Sequence, residues 1–92
     1  VKEMLAAIMR TQGPVLATRG NLNNDIGLPL TLFELGAEHR AAVLEMGANR
    51  AGDVALLVGI ARPAVGVITL CAPCHLEGFG SIEGVARAKG EM

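Results

Sequence analysis

Glu45, His75 and Lys89 are the side chains of this 92-residue chain whose types and positions could do chemistry together. Glu45 follows the apolar run Ala41-Ala42-Val43-Leu44. His75 opens His75-Leu76-Glu77-Gly78-Phe79-Gly80, a few residues after a second apolar run. A third polar segment, Thr18-Arg19-Gly20-Asn21-Leu22-Asn23-Asn24-Asp25, follows Val15-Leu16-Ala17. Open parallel sheets bind ligands beyond the carboxyl ends of their strands. The three segments are therefore expected to open into one crevice. A carboxylate and an imidazole there can hold a divalent cation beside phosphates. A plainer reading stays open, with Glu45 capping a backbone turn and His75 an ordinary loop residue.

Lys89 stands seven residues after Ile82 and four after Val85. On a helix these share one apolar face. A lysine cation is costly to bury, which lowers the pKa of the group. A neutral amine can act as a nucleophile or take up carbon dioxide as a carbamate. Near a helix end, Lys89 can equally snorkel to water. Cys71-Ala72-Pro73-Cys74-His75 adds a different signal, because C-x-x-C-H is the attachment pattern of c-type haem and its first four residues fit a thioredoxin-like C-x-P-C. Its context is poor for both. No export signal is visible, and a thioredoxin motif opens a helix early in its domain, whereas Cys71 comes late here.

The elements that would position these residues follow from the pattern. Val1, Met4, Leu5, Ile8 and Met9 have helical spacing, and Gly13-Pro14 stops that helix. Residues 15–18 read as a short strand and 19–27 as a loop. Residues 29–35 suit a short helix with Pro29 in its first turn and Gly36 beyond its end. Residues 41–44 and 64–70 read as strands buried on both faces of a parallel sheet. Residues 53–61 suit a helix, with Pro63 beyond it. Residues 71–80 read as a loop, and Ser81 can cap a last helix. Alternation of this kind argues an α/β fold with a parallel sheet.

Composition narrows the function classes. The chain is 51% hydrophobic and 18% charged, as a globular domain is. Lysine plus arginine is 8 against 9 acids, a balance that offers nothing to nucleic acid or an anionic membrane. The two aromatics are both Phe, so there is no platform for stacking bases. No apolar run approaches the ~20 residues of a membrane span. A cytoplasmic protein with cysteines as thiols is the expectation. The chain starts on Val1 and stops inside a helical pattern, so residues 1–92 are read as part of one larger domain.

Four motifs carry a resemblance to a known family. Gly20-Asn21-Leu22-Asn23-Asn24-Asp25-Ile26-Gly27-Leu28-Pro29 resembles the GNLNNDIG-x-P segment of the Mur ligases, closest to their MurF-type branch. Leu44-Glu45-Met46-Gly47-Ala48-Asn49 resembles its E-[LM]-G-A-N strand end. His75 to Ser81 matches HLEGFGS, and Ala88-Lys89-Gly90-Glu91 matches AKGE. Order and spacing agree over nearly the whole chain, which is far more specific than the cysteine pattern.

The resemblance implies a partial central, ATP-binding domain, of P-loop type, with three layers and a mostly parallel sheet. The family's enzymes use ATP and magnesium to phosphorylate a carboxylate on a nucleotide-linked muramyl peptide, and an incoming amine displaces the phosphate. In this branch the substrates would be UDP-N-acetylmuramoyl-tripeptide and D-alanyl-D-alanine. Glu45 and His75 would be magnesium ligands. Lys89 would be a carbamylated lysine serving as ligand or positioning group. Asn21, Asn23 and Asn24 would lie where the loop approaches the muramyl substrate. The family's G-x-x-G-K-[ST] falls just upstream of Val1, so the phosphate-cradling loop and the flanking domains would belong to the same parent chain. The 92 residues alone are expected to be inactive. One local departure is Thr69-Leu70-Cys71-Ala72-Pro73-Cys74-His75, where the family usually reads T-N-x-G-P-A-H. Leu70 replaces a polar Asn, and both cysteines become substitutions beside a family histidine. A haem or thiol redox protein, or a non-catalytic Mur-like remnant, are the competing readings.

Overall fold

The structure is a computed structural model, and it describes residues 1–69 and 82–90. The chain forms two compact units, Val1–Met46 and Gly47–Met92. Its fold is α/β with a parallel sheet, as the alternation of patterns implies.

In the first unit, α1 runs Lys2–Met9 and tightens into a 3-10 turn at Arg10–Gln12. Gly13 and Pro14 then end it, because proline has no N–H to continue the ladder. Strand β1 is Val15–Ala17, α2 is Gly27–Leu32 and β2 is Ala41–Val43. β1 pairs in parallel with β2 in the register Val15 with Ala41, Leu16 with Ala42 and Ala17 with Val43. The Arg40 N–H donates to the Pro14 carbonyl at one end of the pair (2.8 Å), and the Thr18 N–H donates to that of Val43 at the other (3.1 Å). Helix α1 packs on both strands. Ala6, Leu16 and Leu28 are the buried apolar residues of this unit, and Thr18 and Thr31 are buried with them.

The residues at helical spacing on α1 form the expected helix but stand mostly outward, and one expectation about β2 changes. Val1, Met4 and Ile8 are each more than 60% exposed, and Ala6 is the residue that meets the strands. A small side chain there lets the helix approach the sheet closely. Residues 41–44 are not buried on both faces, since Ala42 is exposed and its neighbours are half-buried. Full burial of a parallel strand needs helices on both faces, and α1 is the helix that packs on this pair.

In the second unit, α3 spans Asp53–Ala61, with the bounds that the sequence suggests. The Asp53 carboxylate accepts the N–H groups of Asn49 (2.9 Å) and Arg50 (3.1 Å), which folds the approach to the helix. Arg62 closes α3 in the left-handed conformation (φ 50), its N–H donating to the Val58 carbonyl (2.7 Å). Pro63 prevents continuation. Val54 and Leu57 form the buried side of α3. Helix α4 is Ile82–Lys89 and packs on α3.

The expected strand at 64–70 is not formed over its described part, residues 64–69. Those residues are exposed, Val65 by 79%. An apolar run becomes a strand only where a neighbour completes its ladder of backbone hydrogen bonds, and no described residue pairs with this one. Leu70, the loop at 71–80 with Cys71, Cys74 and His75, and Ser81 lie outside the described residues.

Candidate functional site

The carboxyl ends of β1 and β2 emerge side by side because the strands are parallel and in register. Thr18 follows β1 directly, and Glu45 stands two residues beyond the last residue of β2. Thr18 is 2% exposed. Its hydroxyl oxygen accepts the Glu45 N–H at 2.9 Å, which fixes the backbone from which the carboxylate departs. This contact lies just beyond the last paired residues, where β2 would otherwise leave a backbone donor without a strand partner.

The loop that follows Thr18 folds back on itself and reaches Glu45. Gly20 has φ 54, a left-handed conformation that glycine adopts without penalty. The Leu22 N–H donates to Arg19 (3.2 Å) and the Asn23 N–H to Asn21 (2.8 Å), two tight turns in succession. The outer side of the loop is tied by the ion pair between Arg19 and Glu34 (2.8 Å) and by Lys2 Nζ donating to the Gly20 carbonyl (3.5 Å). These turns deliver Asn23 to Glu45, and the Asn23 amide Nδ2 donates to Glu45 Oε1 at 3.0 Å. Both side chains are half-buried.

The three asparagines have different places. Asn21 is exposed and supplies a turn carbonyl. Asn23 holds the carboxylate. Asn24 turns the other way, its Oδ1 accepting the N–H groups of Ile26 (3.2 Å) and Gly27 (2.7 Å) at the start of α2. Helix α2 begins two residues earlier than the sequence pattern suggests, because Asn24 supplies an acceptor for its first free N–H groups. The loop also presses on the helix: a Cβ on Gly27 would stand 2.6 Å from Leu22 Cα. Thr18 further lines a groove of about 440 Å³ beside β1, with Arg19, Glu34, Glu38 and His39 around it.

Of the expected metal ligands, Glu45 is in the first unit, Lys89 ends α4 in the second, and His75 lies outside the described residues. Lys89 is half-buried. No cluster of three or more His, Cys, Asp or Glu side chains occurs among the described residues. Glu45 nevertheless fits magnesium chemistry. Magnesium takes one or two carboxylates and completes its octahedron with water and phosphate oxygens. A half-buried carboxylate with one oxygen anchored by an amide is a suitable donor of that kind. The part of Thr18 in holding Glu45 was not legible, since residues 15–18 read as one strand. No helix among the described residues is long and apolar enough to cross a membrane.

Comparison with known proteins gives a consistent result. The Mur ligase middle domain model matches residues 1–92. A UDP-N-acetylmuramoyl-tripeptide--D-alanyl-D-alanine ligase of Escherichia coli (strain K12) is 53% identical over 92 residues, which are 100% of this chain and 20% of that protein. The ligase of the same name from Haemophilus influenzae is 48% identical over 96 residues, covering 100% of this chain and 21% of its own. Crystal structure I of MurF from Acinetobacter baumannii superposes with a TM-score of 0.94 at 47% identity, over 98% of this chain and 20% of that one. The chain thus spans about a fifth of the length of these relatives.

Proposed function

Because the chain belongs to the Mur ligase family, as a stretch of its middle domain, we propose that its parent protein joins D-alanyl-D-alanine to UDP-N-acetylmuramoyl-tripeptide at the expense of ATP. The observation that supports this reading most is identity of 53% with a ligase of that name over the full 92 residues, with Glu45 at a parallel strand end where such chemistry is housed.

In this reading a carboxylate oxygen of the tripeptide attacks the γ-phosphorus of ATP, and ADP leaves. The amine of D-alanyl-D-alanine then attacks the acyl carbon. Its proton is lost, the C–N bond forms and inorganic phosphate departs. Magnesium, when bound, neutralises charge on the phosphate oxygens. Glu45 would hold it through its carboxylate, which Asn23 and Thr18 keep in place. His75 would be a second ligand by motif match. Lys89, as a carbamate, would add a carboxylate-like group. Asn21, at the exposed turn, is proposed to face the muramyl substrate. Asn23 and Asn24 would hold the loop that presents it. Since ATP and the nucleotide-linked peptide are both cytoplasmic metabolites, the reaction is placed in the cytoplasm. The phosphate-cradling loop and flanking domains would come from the rest of the parent chain.

The test uses the full-length protein. Glu45→Ala, His75→Ala and Lys89→Ala should each lower turnover by an amount equivalent to several kcal/mol, on the order of the charge stabilisation a bound metal supplies. Thermal unfolding should change little. Acetate should partly restore Lys89→Ala and leave His75→Ala unaffected. Near-normal ligation by Lys89→Ala, or activity lost only through instability, would overturn the assigned roles.

A further inference from the structure

We propose that Asn23 is a positioning residue for Glu45, and that through it the order of the 19–26 loop sets the affinity of the metal carboxylate. The inference rests on the magnesium reading of Glu45 given above. An ionised carboxylate accepts hydrogen bonds and cannot donate them, so the amide group facing it must be Nδ2. That bond (3.0 Å) binds Oε1 and fixes the rotation of the carboxylate, leaving Oε2 as the oxygen directed away from the loop amide. The Glu45 backbone is pinned separately by Thr18 (2.9 Å). Main chain and side chain are therefore held by two different groups, both delivered by the segment that leaves β1.

Asn23 reaches this position through the loop that leaves β1. Its place depends on the two tight turns at Arg19–Leu22 and Asn21–Asn23, and on Asn24 anchoring the far end of the loop to α2. A ligand that orders the loop from outside would thus raise metal affinity, and a bound metal would favour the ordered loop. Thermodynamic linkage makes the two effects equal. Groups that orient a metal ligand from behind typically change affinity by 10–100-fold when removed.

The experiment measures Mn²⁺ binding to the full-length protein by electron paramagnetic resonance, without turnover, for wild type, Asn23→Ala, Glu45→Gln and the double variant. Asn23→Ala should weaken Mn²⁺ binding about tenfold with an unchanged melting temperature. In the Glu45→Gln background, adding Asn23→Ala should have no further effect, because there is no carboxylate left to orient. Addition of the muramyl tripeptide substrate should tighten Mn²⁺ binding in wild type and lose that effect in Asn23→Ala. Unchanged binding in Asn23→Ala, or equal losses in both backgrounds, overturns the positioning role. If Glu45→Gln itself binds Mn²⁺ like wild type, it is the metal reading of Glu45 that fails.

Discussion

At the residue scale, Thr18 carries a separable piece of the site. Its buried hydroxyl accepts the Glu45 N–H. Thr18→Val keeps the shape and removes the acceptor, which leaves a partly buried donor unmatched at a cost of ~1–3 kcal/mol. We expect hydrogen exchange at residues 44–46 of the full-length protein to accelerate in Thr18→Val and to recover in Thr18→Ser. Unchanged exchange would show that the bond contributes nothing to holding Glu45. The place of Glu45 beyond a strand end was legible in the sequence, because an acid closes an apolar run with Gly47 close behind. The partner Asn23 was not. Three asparagines within four residues look equivalent on paper, and only the turns between them assign one to the carboxylate and another to helix α2. His75 and Lys89 rest on their motifs for their roles.

At the element scale, local stop signals were more readable than partners. Helix α3 has the expected bounds because Asp53 and Pro63 act through nearest neighbours. The apolar run at 64–69 misled because hydrophobicity alone does not encode which strand completes a ladder. The start of α2 lay between these cases, set by a side-chain contact two and three residues away. This contact predicts that Asn24→Ala destabilises the full-length protein by about 1 kcal/mol, the usual worth of a helix-start acceptor. Gly27→Ala should do more harm. Its new methyl would meet Leu22 backbone atoms at 2.6 and 2.7 Å, and backbone cannot yield as a flexible side chain does. Overpacking of this kind costs ~1–3 kcal/mol and should also displace the loop that carries Asn23. Gly27→Ala is therefore expected to weaken Mn²⁺ binding, whereas a neutral effect on both stability and metal would show that the loop does not need its close approach to α2.

At the scale of the whole molecule, many of the large apolar side chains among the described residues are exposed. Among the described residues, the buried apolar side chains are Ala6, Leu16, Leu28, Val54 and Leu57. Against them stand Val1, Met4 and Ile8 at and along α1, and Leu30 on α2 with Ile26 and Phe33 at its two ends, Phe33 being 83% exposed. Apolar side chains grouped along one helix can mark a surface that meets something else. Small chains also bury a lower fraction of their surface on folding. If the parent protein is as long as these relatives, about five times this chain, its remaining residues are expected to cover these side chains. The excised 92 residues should consequently bind a hydrophobic dye such as anilinonaphthalene sulfonate and melt without a sharp transition. The full-length protein should melt cooperatively with little dye bound. The excised chain should also show no ATPase activity, and product above a no-protein control would refute that. A single sharp transition in the excised chain, with far-ultraviolet and dye signals changing together, would mean that two short strands and their helices fold alone. The exposed stripes on α1 and α2 would then need a different explanation from burial against the remainder of the parent chain.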